Sequence, residues 1–81
     1  MKFNKWDIVI NNLNSRHDII NNDESFVILD KAHDTKLVLK SEGEIIKVKY
    51  LSYDNELSID TKAKKIIINL DDYDYDFDYD Y

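Results

Sequence analysis

Between Phe26 and Leu70 the apolar residues fall into five short runs, and this limits the chain more than any other feature. The runs are Phe26 to Leu29, Lys36 to Lys40, Glu44 to Leu51, Glu56 to Asp60 and Lys65 to Leu70, each bounded by polar, turn-forming residues. Runs of this length separated by turn signals every ten residues or so predict an antiparallel meander of five strands. Ser41-Glu42-Gly43 holds the one glycine of the chain, where a positive φ comes without steric cost, and Asp54-Asn55 is a second hairpin signal. Alternation assigns the faces. Leu37 and Leu39 oppose Lys36 and Lys40, Ile46, Val48 and Tyr50 oppose Lys47 and Lys49, and Leu57 and Ile59 oppose Glu56, Ser58 and Asp60. The second face therefore presents Lys36, Lys40, Lys47 and Lys49, with Lys65 as a further member, broken by Val38, Ile45 and Ile67.

The first fifteen residues carry a different spacing. Trp6, Val9, Ile10 and Leu13 stand at i, i+3, i+4 and i+7, one face of a helix, with Asn4 as N-cap and Asp7 three residues later. An amphipathic helix is expected over residues 5–15, anchored in the core by Trp6. Asn11, Asn12 and Asn14 are poor helix formers, so it frays near Arg16 and continues as a loop completed by Asn21, Asn22, Asp23 and Glu24. The expected fold is α+β: one domain over residues 1–70, the N-terminal helix packed on one side of the five-stranded sheet. Residues 71–81 form a separate C-terminal segment.

That segment is Asp71, Asp72, Tyr73, Asp74, Tyr75, Asp76, Phe77, Asp78, Tyr79, Asp80 and Tyr81, in strict alternation from Asp72 onward. A helix scatters both chemistries around its circumference, whereas an extended chain sorts carboxylates to one side and rings to the other, like residues about 6.7 Å apart. The pattern fits a solvated acidic tail, a sixth strand whose rings cover the sheet, or an anionic ribbon that imitates a nucleic-acid strand. The third follows from how single strands are held, by basic grooves interleaved with stacking positions. A single edge of aspartates supplies about half the phosphate density of one DNA strand, so a full imitation needs further carboxylates such as Glu56 and Asp60.

Charge arithmetic sharpens this. The formal net charge is −6. Residues 1–70 hold eleven Lys/Arg and eleven Asp/Glu, so the whole excess lies on the six aspartates after Leu70, together with five of the ten aromatic residues. With no cysteine and two histidines, the usual ligands of structural zinc, iron–sulfur clusters and thiol chemistry are lacking, and a straight ribbon diverges its carboxylates too far for a Ca²⁺ cage. No cofactor or metal is expected. His17-Asp18 and His33-Asp34 are sequence neighbours rather than working dyads, so no catalytic residue is assigned and the chain is read as a non-enzyme. No apolar run approaches the length of a bilayer span and no leader pattern opens the chain, so a cytoplasmic protein without a membrane partner is expected. A core this small supplies only about 3–5 kcal/mol, which favours a binding protein and leaves room for a homodimer.

Abundant Ile, Asn, Lys, Asp and Tyr point to AT-rich coding. In size, lack of cysteine, coding and the aspartates from Asp71 to Asp80, the chain resembles the small acidic proteins that phages and mobile elements direct against host nucleic-acid enzymes: anti-CRISPR proteins, anti-restriction proteins and uracil-DNA glycosylase inhibitors. The resemblance is one of kind and covers eleven residues. It implies inhibition by occupying the basic nucleic-acid-binding site of a host defence enzyme, with residues 71–81 as the contact and no direct nucleic-acid binding. Members of that group often spread acidity over the body, whereas this body is neutral. Two other classes fit the same chemistry: an immunity protein or antitoxin that neutralises a cationic toxin, and a nucleic-acid binder whose lysine face is covered by its own tail.

Overall fold

The computed structural model describes residues 1–70, which form strands, turns and loops and no helix. In chain order the strands are β1 (Lys2–Phe3), β2 (Trp6–Asn11), β3 (His17–Asn21), β4 (Ser25–Asp30), β5 (Thr35–Glu42), β6 (Ile45–Leu51), β7 (Glu56–Asp60) and β8 (Lys65–Asn69). They make two four-stranded sheets, ordered β1-β2-β8-β7 and β3-β4-β5-β6. The architecture is an all-β sandwich, and the expected α+β fold is corrected.

The expected helix over residues 5–15 is strand β2 with its flanking turns. Trp6 and Ile8 are buried and Ile10 is half-buried, while Asp7, Val9 and Asn11 face outward, so the period is two. The helical spacing arose because Trp6 and Ile10 belong to both patterns. Ile8 separates them: it is buried, whereas Val9 and Leu13 are 37% and 41% exposed. Three consecutive β-branched residues, Ile8-Val9-Ile10, favour extended backbone. The asparagines end the strand instead of thinning a helix: Asn4 (φ 55°) and Asn12 (φ 71°) both take the left-handed conformation that asparagine tolerates best. β2 then pairs in parallel with β8, from Asp7 opposite Lys65 to Asn11 opposite Asn69, joining the two ends of the folded chain.

The segment after Arg16, expected as a loop, is also extended. β3 pairs antiparallel with β4 from His17 opposite Asp30 to Asn21 opposite Phe26. Asn22, Asp23 and Glu24 remain the turn, closed by the Asn22 carboxamide oxygen, which accepts from the Glu24 and Ser25 N–H groups at 3.0 Å.

The five expected strands occur as β4 to β8, but they do not form one meander. β3 to β6 make an antiparallel meander in one sheet, and β7 and β8 form a hairpin in the other. Asp54-Asn55 is therefore a crossing between sheets rather than a hairpin, with Asn55 buried and its N–H donating to the Ser52 carbonyl at 2.9 Å. Gly43, at φ 66°, makes the tight β5–β6 turn.

Two register shifts reassign faces in the second sheet. Leu39 lies opposite Val48 but Val38 lies opposite Tyr50, leaving Lys49 as the extra residue of a bulge. Lys36 is the extra residue of a second, between Leu37 opposite Ile28 and Thr35 opposite Leu29. A bulge inserts one residue and so reverses the alternation beyond it. Tyr50 consequently faces away from the side shared by Ile46 and Val48, which corrects the expected grouping of all three.

The inner faces meet in one core. Phe3, Trp6, Ile8, Ile66, Ile68 and Leu70 come from the first sheet and its end, and Phe26, Ile28, Leu37 and Leu39 from the second. The Phe3 and Phe26 rings touch across the sheets with centroids 5.8 Å apart and tilted at 43°, a favourable aromatic geometry. Asn21 ties the sheets at one margin, its carboxamide donating to the Lys2 carbonyl at 2.8 Å.

Candidate functional site

The predicted contact residues, Asp71 through Tyr81, lie outside the described residues. What the structure does describe is the point from which they depart. Leu70 is buried, its N–H donates to the Asn11 carbonyl at 3.1 Å, and its carbonyl accepts from the Asn12 carboxamide at 2.9 Å. Beside it the Asn11 carboxamide donates to the Asn69 side-chain oxygen. Three asparagines thus hold the end of the last strand against the end of β2. Sequence reasoning treated Asn11 and Asn12 as helix-weakening residues and missed this clamp. Its signal was the Asn-Asn pair directly after an apolar alternation, where a left-handed residue turns a side chain back toward the neighbouring strand.

The expected lysine face is only partly assembled. Lys65 stands on the first sheet, opposite Asp7 and Asp60 in the two neighbouring strands. Lys36 reaches Asp30 at 3.8 Å and Lys47 reaches Glu42 at 3.4 Å. Lys40 and Lys47 lie directly opposite each other on β5 and β6, with Lys49 at the adjacent bulge. Like charges placed opposite one another across a strand pair repel, so this is a position that gains from an added anion. Beside these lysines an apolar row runs across all four strands, Ile20 opposite Val27, Val27 opposite Val38 and Val38 opposite Tyr50. Its ends, Ile20 and Tyr50, are 48% and 49% exposed. The bulge at Lys49 brings Tyr50 into this row, which alternation alone does not reveal.

The histidines do not form dyads. His17 and Asp18 are consecutive strand residues and point to opposite faces. His33 sits in a turn at φ 66° with its N–H donating to the Asp30 carbonyl. Burial pushes His17 below the ordinary histidine range, with Asp30 acting against this and Lys36 and Arg16 adding to it. Its Nδ1 accepts from the Asn14 N–H at 3.3 Å, a bond the neutral ring makes. Between the folded and unfolded pKa values the unfolded chain binds the extra proton, so stability is full above the unfolded value and falls as pH drops through this window. His17→Gln is expected to flatten that part of the urea-midpoint profile between pH 7.5 and 5. A profile identical to that of the parent contradicts the assignment.

At the opposite end of the sandwich an open cleft of about 290 Å³ is lined by Asn4, Lys5, Trp6, Asp23, Ser41 and Lys64, among others. The Lys64 ammonium stands 5.2 Å from the centre of the Trp6 ring and 3.9 Å from Glu44. Lys64 therefore shields the indole, a cation–π contact that completes the core anchor. Among the described residues no group of three or more His, Cys, Asp or Glu is placed to hold a metal ion, and no helix is long and apolar enough to cross a membrane.

Comparison of the chain with protein-family models, with curated proteins and with solved structures finds no match in any of the three.

Proposed function

We propose that this protein is a non-enzymatic inhibitor, acting in the cytoplasm of a host cell, that occupies the basic nucleic-acid-binding site of a host defence enzyme of the CRISPR-effector or restriction-nuclease type. The observation that carries this reading is the segregation of charge. The sandwich is neutral, and all of the net charge of −6 lies in the eleven residues that follow the clamped Leu70. Six carboxylates in so short a span attract a cationic groove from a distance and raise the encounter rate. The five interleaved rings give the contact its short-range part, stacking on arginine and displacing water where nucleobases otherwise stack. A neutral carrier adds little repulsion and leaves binding to the segment. Capture from a lysate of a low-GC bacterium with the full chain as bait is expected to yield a nucleic-acid-binding protein that an excess of single-stranded DNA releases. A captured cationic protein that DNA neither binds nor releases contradicts the reading and favours the immunity-protein class.

A further inference from the structure

We propose that the open edge of β3 pairs with the β3 of a second copy of this chain, antiparallel about a two-fold axis at Ile20, joining two four-stranded sheets into one of eight strands. Four strands end the two sheets: β1, β7, β3 and β6. β1 has two residues. β6 carries Lys47, Lys49 and a bulge, and β7 turns Glu56 and Asp60 outward, devices that blunt an edge against further pairing. β3 holds an unbroken five-residue register with β4, without lysine or bulge, and Asp18 is its one carboxylate.

Backbone parity decides which groups this edge offers. The Asn22 N–H donates to the Ser25 carbonyl at 3.0 Å, so Asn22 turns its backbone groups toward β4, and by alternation Ile20 and Asp18 do the same. Ile19 and Asn21 therefore direct their N–H and C=O groups to the other side of β3, where no described strand lies. A two-fold axis at Ile20 sets Ile19 of each copy opposite Asn21 of the other. Each of these pairs exchanges both of its backbone hydrogen bonds. Ile20 then meets Ile20 in the intervening pair without hydrogen bonds, where side chains approach most closely.

The side chains are self-complementary in the same register. Ile20 is 48% exposed at the edge and ends the outer apolar row of Ile20, Val27, Val38 and Tyr50. Pairing covers it and continues that row across the axis into the second copy. Charge changes sign along the strand: Arg16 precedes it, and Asp23 and Glu24 follow it. An antiparallel two-fold brings the start of one strand level with the end of the other, so Arg16 of each copy stands beside Asp23 and Glu24 of its mate. Asp18 meets Asn22, whereas an axis at Asp18 sets two carboxylates directly opposite each other, which is unfavourable. Such a surface, matched to itself, is what a two-fold dimer requires. A five-residue edge buries less than the roughly 1,200 Å² of a standard interface, so the dimer belongs to the weak, concentration-dependent class. The pairing involves neither a target nor residues 71–81, so its failure leaves the function reading intact, and the reverse holds.

The test is sedimentation equilibrium of the full chain from about 10 μM to about 1 mM, with full-length Ile20→Lys and Ile20→Glu chains run separately and mixed. The parent is expected to dimerise reversibly, and each variant at least about tenfold more weakly with Trp6 fluorescence retained. The equal mixture is expected to associate about tenfold more tightly than either variant, because an axis at Ile20 sets the introduced ammonium opposite the introduced carboxylate. Amide hydrogen exchange of the parent needs no variant: the Ile19 and Asn21 amides gain protection as concentration rises. A parent that stays monomeric at the highest concentration overturns the proposal. Variants that dimerise like the parent overturn it too, as does a mixture no tighter than its components. Ile19 and Asn21 protection that does not change with concentration overturns it in favour of an occupant from the same chain.

Discussion

Ile8→Asn is expected to unfold the protein at 25 °C, while Leu13→Asn leaves it folded. Ile8 is 3% exposed, opposite Ile66 and in one core cluster with Phe3 and Trp6, whereas Leu13 is 41% exposed in the connection between the sheets. Removing a buried aliphatic side chain forfeits about 1.5–3 kcal/mol of burial. Leaving a carboxamide there without partners adds about 1–3 kcal/mol. Together these match the roughly 3–5 kcal/mol that a core of this size supplies. Urea unfolding followed by Trp6 fluorescence measures both variants, since the indole is buried only in the folded sandwich. The pair also separates the two readings of the N-terminal segment. A helix on the stripe Trp6, Val9, Ile10 and Leu13 places Leu13 inside and Ile8 outside, so the opposite ranking of the variants contradicts β2 as described.

The strands from residue 26 onward are legible because each is bounded by turn chemistry, although the bulges at Lys36 and Lys49 break the alternation that assigns their faces. Leu37 and Leu39 are fully buried where their lysine neighbours required it. The N-terminal third is harder because its strands depend on remote partners. β2 is held by a parallel strand more than fifty residues away, and β3 offers just Ile19 and Ile20 as apolar residues. Such pairing overrides local spacing, and no window around Trp6 contains it. The division into two sheets was hidden for a related reason. Asp54-Asn55 has the composition of a hairpin turn, and whether the following strand folds back or crosses over is decided by β8, which gives β7 its partner. Of the candidate site, the acidic and aromatic segment was legible as composition. The asparagine clamp beneath it and the bulge that turns Tyr50 outward depend on backbone conformation and register, which residue types alone do not specify.

Ending the chain at Asp71 is expected to lower affinity for the captured partner at least about 100-fold while the sandwich still unfolds cooperatively. The deletion removes five aspartates and no cation, so the formal charge moves from −6 to −1. Loss of long-range attraction alone slows association by about 10- to 1,000-fold, and the lost rings remove the anchors that slow dissociation. The deletion removes none of the ten buried core residues found among the described residues, which all lie at or before Leu70. Added salt is expected to weaken the full chain's binding steeply and the residual binding of the shortened chain little.

The most direct test of the central claim, that the segment after Leu70 and not the sandwich is the effector, is the dissociation constant of the captured partner for the full chain and for the chain ending at Asp71. A loss of about 100-fold or more, with Trp6 still buried in the shortened chain, is the predicted result. Equal affinity in a folded shortened chain contradicts the claim and moves the contact to a face of the sandwich.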